Sequence, residues 1–60
     1  MDESTFTDFV SAAESACERE LDIEWDGEAA EVTLLSDVSL AAREAIEAIG
    51  VEMGIRVGIE

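Results

Sequence analysis

Sixty residues carrying sixteen Asp and Glu against three Arg, with no Lys and no His, give a net charge of −13 and a pI near 4.1. A chain this short forms one domain, residues 1–60, and buries only about 60% of the surface its unfolded form exposes. The charge argues against direct binding to nucleic acid, whose phosphates it would repel, and 48% apolar residues at regular spacing argue against disorder.

The first periodic segment runs from about Thr5 to Glu20. Phe6, Phe9, Val10, Ala13, Ala16 and Cys17 share one stripe at helical spacing. Thr5 with Asp8 three residues on resembles an N-capping pair. Asp2 and Glu3 suit the positive end of the helix dipole. The period then changes. In "ELDIEWDGEAAE", Leu21, Ile23 and Trp25 alternate with Asp22 and Glu24, and Asp26-Gly27 signals a hairpin. A two-residue turn there makes Ile23 face Ala30 and Leu21 face Val32. The row toward the core is then Leu21, Ile23, Trp25, Ala30, Val32 and Leu34; Asp22, Glu24, Ala29, Glu31 and Thr33 point away. That register sets Asp22 directly opposite Glu31, a like-charge pair that destabilises a sheet.

Ser36 or Asp37 is expected to cap a second helix. Its buried stripe is Val38, Ala42, Ala45, Ile46, Ile49 and Met53, with Arg43, Glu44 and Glu47 outward beside Leu40 and Val51. Gly50 or Gly54 ends it in left-handed conformation. A third strand follows, Ile55, Val57 and Ile59 alternating with Arg56, Gly58 and Glu60. The expected fold is α+β in the order α-β-β-α-β. Its three-stranded sheet, antiparallel or mixed, carries both helices on one face and leaves the other open and acidic.

Catalytic groups are scarce. The chain has no His, Tyr or Lys and no Gly-rich phosphate loop, and with this many acids no particular carboxylate pair stands out for acid/base chemistry. No calcium-loop or zinc spacing occurs. Cys17 lies on the apolar stripe and reads as buried filler, and Trp25 as a core plug. No enzyme activity, cofactor or metal is expected. One thiol fits a reducing compartment, no apolar run reaches the roughly 20 residues of a membrane span, and the acidic "MDEST" start is unlike a targeting segment. The expected location is therefore the cytosol. Crowding should raise the carboxylate pKa values on average.

"SLAAREAIEAIGVEMGIRV", Ser39 to Val57, resembles the stretch of acyl carrier proteins that begins at the phosphopantetheine serine. Ser39-Leu40, Glu44 and Gly54-Ile55-x-Val57 carry the match. The resemblance implies Ser39 as the attachment site, although Val38 stands where that family has Asp. A resemblance of class rather than of motif links the chain's size, acidity and lack of catalytic groups to small phage-encoded DNA mimics, including anti-CRISPR proteins. It implies an inhibitor that occupies the basic surface of a DNA-binding protein or a CRISPR-type effector complex in the host cytosol. A fold of this length should have a radius of gyration near 10 Å and a diameter of roughly 27 Å, over which duplex DNA carries about 16 phosphates. The residues expected to meet such a partner are Asp22, Glu24, Asp26, Glu28 and Glu31, with Glu44 and Glu47 as a second cluster. Leu40 and Val51 form a candidate contact patch, and a homodimer stays open as an alternative assembly. The alternative is an interaction domain adapted to molar salt, where screening over ~3 Å removes the repulsion. Concentration of acids in the hairpin and the Asp22/Glu31 juxtaposition favour mimicry.

Overall fold

A computed structural model describes residues 1–59. Helix α1 spans Glu3–Cys17. Its N-cap is Asp2, whose carboxylate accepts the Thr5 N–H at 2.8 Å. Thr5 is thus the third helical residue rather than the cap, because Asp2 already satisfies a free N–H of the first turn. The helix stops at Glu18, which takes left-handed backbone angles (φ 55°) and returns its N–H to Glu14. Phe9 and Ala13 are buried, with Phe6, Val10 and Cys17 packed at the edge of the core. Ala16 is exposed, at the margin of the expected stripe.

Strand β1 is Ile23–Trp25 and β2 is Glu31–Leu34, paired antiparallel with Ile23 opposite Leu34, Glu24 opposite Thr33 and Trp25 opposite Val32. The expected two-residue turn is replaced by a wider loop over 26–30. The Asp26 carboxylate accepts the N–H groups of Glu28 (2.9 Å) and Ala29 (3.1 Å), and the Trp25 indole N–H donates to the Ala29 carbonyl at 2.7 Å. These bonds fold the residues after Gly27 (φ 90°) back on the loop rather than onto a strand. Ile23 therefore meets Leu34 instead of Ala30, which is exposed in the loop. The displacement is an even number of residues, so the inward and outward rows keep their faces.

Asp22 and Glu31 are not opposite one another. Asp22 precedes β1, giving its N–H to Ser36 Oγ at 2.7 Å and accepting the Leu35 N–H at 2.8 Å. Glu31 pairs in register with Arg56 of the third strand.

Helix α2 spans Leu40–Met53. Ser39, not Ser36 or Asp37, is its N-cap, accepting the Ala42 N–H at 3.2 Å. Gly54 (φ 72°) is the C-cap. Gly50 lies inside the helix and is buried, because β3 passes against its α-carbon: a β-carbon there would sit 2.7 Å from the Ile55 carbonyl oxygen and 2.9 Å from Val57 Cγ2. Strand β3, Arg56–Ile59, lies parallel to β2. Glu60, its expected last residue, lies outside the described residues.

The sheet is mixed, in the order β1-β2-β3, with α2 as the crossover between its parallel pair. The core is Phe9 and Ala13 from α1, Val32 and Leu34 from β2, Ile46 from α2, and Ile55. Burial of each large side chain contributes about 1.5–3 kcal/mol. No charged or polar residue is buried among those described. The chain is a single small α+β domain, with a radius of gyration of 10.1 Å and extents of 28 × 20 × 18 Å.

A candidate anionic surface at the hairpin

The hairpin places its acids by alternation. Ile23 and Trp25 turn toward the core, so Glu24 between them faces solvent, as does Glu31 before the buried Val32. Glu24, Asp26 and Glu31 border one open hollow of about 770 Å³, which Phe6, Trp25 and Ala29 also line. Asp22, Glu28, Glu44 and Glu47 do not line it. Glu28 sits at the exposed loop, and Glu44 and Glu47 lie on the outer side of α2. Leu40 and Val51 share that side and are 69% and 79% exposed.

Two ion pairs occur among the described residues. Arg43 Nε lies 3.4 Å from Glu47 Oε1, one helical turn apart, and Arg56 Nη1 lies 4.0 Å from Glu31 Oε2 across β2 and β3. Both are at the surface and contribute little. With Asp22 moved away from Glu31, cross-strand repulsion no longer requires a functional explanation for these acids. Glu31 faces a cation instead.

The carboxylates of Asp26 and Asp2 are held below the ordinary aspartate range. At Asp26 the cause is the N–H of Glu28, then that of Ala29; at Asp2 it is hydrogen bonding to Thr5. In both, local N–H donation overrides the upward push expected from crowding, because a donor at hydrogen-bond distance favours the ionised form. Asp26 is therefore an anion with a structural task, fixing the loop.

Two contributors escape sequence reasoning. The Phe6 ring stacks on Trp25 with centroids 5.1 Å apart and planes 27° from parallel. This contact joins α1 to the hairpin end, and no local pattern specifies it. Glu14 Oε2 accepts the Leu21 N–H at 2.9 Å and so steers the chain from α1 into β1.

No cluster of His, Cys, Asp or Glu among the described residues is arranged to hold a metal ion. No helix among them is long and apolar enough to cross a membrane. Comparisons with family models, curated proteins and solved structures gave no match.

Proposed function

We propose that the chain is a non-catalytic binding module that sets its anionic surface against a cationic protein surface of the kind that holds nucleic acid, and so competes with DNA for it. One observation carries the reading: a charge of −13 on a body 28 Å long, where duplex DNA of that length carries about 16 phosphates. The scarcity of internal ion pairs supports it, since among the described residues only Glu31 and Glu47 lie within 4.0 Å of an arginine. Apart from Asp2, Glu14 and Asp26, which accept backbone N–H groups, the remaining described carboxylates stay available to a partner's Lys and Arg. Their summed field would steer association and release the partner's bound anions. In its most specific form the reading is an anti-CRISPR-like inhibitor acting on an effector complex in a host cytosol.

The test is capture of DNA-binding proteins from nuclease-treated lysate, followed by DNA displacement from the captured protein. The parent is compared with a variant carrying Asp22→Asn, Glu24→Gln and Glu31→Gln. Close interfacial charge pairs couple by about 1.5–7 kcal/mol, so the variant should displace DNA at least tenfold less well. Equal displacement by both proteins removes the hairpin acids from the competing surface.

A second reading makes the acidity an answer to concentrated salt around a small interaction domain. It is favoured by the spread of acids over α1 (Glu3, Asp8, Glu14) and α2 (Glu44, Glu47, Glu52) as well as the hairpin, and by the absence of the Asp22/Glu31 pair. Circular dichroism against KCl separates the two. A chain folded at about 0.15 M, where the Debye length is ~8 Å, fits the first reading; one that folds only in molar salt fits the second.

A further inference from the structure

We propose that the hairpin hollow is a seat for an arginine side chain of the partner, with the Trp25 and Phe6 rings as its platform and Glu24 and Glu31 as its carboxylate rim. The inference rests on the reading of the chain as a binder of cationic protein surfaces, and it specifies which cation is preferred and where.

The hollow brings two features together. Its apolar part is a stacked aromatic pair, and the Trp25 indole cannot swing freely because its N–H is held by the Ala29 carbonyl at 2.7 Å. Its polar part is the outward carboxylates of Glu24 and Glu31 together with Asp26. Asp26 is engaged by the N–H groups of Glu28 and Ala29, which leaves Glu24 and Glu31 as the groups free to turn toward a ligand. Glu31 would exchange its 4.0 Å contact with the exposed Arg56 for the incoming cation.

A planar guanidinium suits both parts at once. It stacks on an aromatic face while its N–H fork reaches carboxylates at the edge. A lysine ammonium offers a point charge and holds its hydration more strongly. The occupant is not an arginine of a second copy, because two bodies of charge −13 repel. It belongs to a cationic partner.

The experiment uses the full chain, at the lowest KCl concentration where it is folded, and two peptide probes: octa-arginine and octa-lysine. Affinities come from calorimetry. The environment of Trp25, the one tryptophan of the chain, comes from its indole N–H signal in NMR. The expected result is that both peptides bind, octa-arginine roughly two- to thirtyfold more tightly, the range that a cation–π contact gives. Only octa-arginine should shift the indole signal strongly. Trp25→Leu should remove the preference, bringing the two affinities together. Because Trp25 borders the core, Glu24→Gln with Glu31→Gln, both outside it, provides a second variant that should reduce the preference without unfolding the chain. Equal affinities with an unmoved indole signal overturn the arginine seat and leave the general anionic surface standing. Failure to bind either peptide overturns both.

Discussion

Replacing Gly50 with alanine should destabilise the fold, against the usual direction for a helical glycine. In an open helix the change gains about 1 kcal/mol, since glycine carries the larger entropy cost. Here the added methyl would lie 2.7 Å from the Ile55 carbonyl oxygen and 2.9 Å from Val57 Cγ2. Val57 can shift, but the carbonyl belongs to the backbone that receives the end of α2, where the Ile55 N–H donates to Gly50 O at 2.7 Å. Overpacking of this kind costs about 1–3 kcal/mol, and the backbone contact puts the cost in the upper half of that range. The net loss is then about 1–2 kcal/mol, which lowers the melting temperature of a domain this small by roughly 8–16 °C. Thermal and urea unfolding followed by circular dichroism measure both quantities. A Gly50→Ala protein that melts at or above the parent would refute the close approach of α2 and β3.

Asp26→Ala should lower stability at neutral pH and flatten its acid dependence. The folded state depresses the Asp26 pKa through the Glu28 and Ala29 N–H groups, so its contribution is present above the ordinary aspartate range and is lost as pH falls through the depressed value. NMR titration of the Asp26 side chain should give a midpoint below that of an unfolded peptide, and an unshifted midpoint would count against the loop geometry. Ser39→Ala should cost about 1 kcal/mol, the usual loss of a serine N-cap, visible as a lower urea midpoint. Wild-type chain incubated with coenzyme A and a promiscuous phosphopantetheinyl transferase should keep its mass, because Val38 precedes the serine; a stoichiometric adduct would favour the carrier-protein resemblance. The triple variant Asp22→Asn, Glu24→Gln, Glu31→Gln should unfold within about 0.5 kcal/mol of the parent, as surface changes do. A larger loss would mean that the Glu31–Arg56 contact carries more than a surface pair.

Local periodicity made the element order and most of the buried face readable in advance. Phe9 and Ala13 mark α1, Ile46 marks α2, and Val32 and Leu34 mark β2, because burial repeats with the backbone period of each element. What could not be read depends on contacts between distant residues. Asp26-Gly27 announced a turn, but its width is set by the Trp25–Ala29 bond together with the Asp26 carboxylate. The register followed that width and removed the Asp22/Glu31 pair, while the even displacement spared the faces. Ser36 was a plausible cap, yet its hydroxyl accepts the Asp22 N–H across the chain, and the cap falls to Ser39. Gly50 looked like a helix terminus because glycine is usual there, whereas its reason is the passage of β3. Of the candidate surface, the acids were visible in the sequence. The Phe6–Trp25 platform beside them was not.

Among the described residues the sheet has three strands, so two of them are edges. β1 and β3 each leave one side of their backbone unpaired, and Ile59 on β3 is 40% exposed. Open edges invite a neighbouring copy to add its own strand. The guard here is electrostatic: Asp22 and Asp26 flank the three residues of β1 while Glu24 projects from its middle. At the isoelectric point near 4.1 the net charge of the chain vanishes and copies no longer repel. Edge addition is then unopposed by net charge, so the acidity of the chain also sets the lower pH limit of its electrostatic protection against strand pairing.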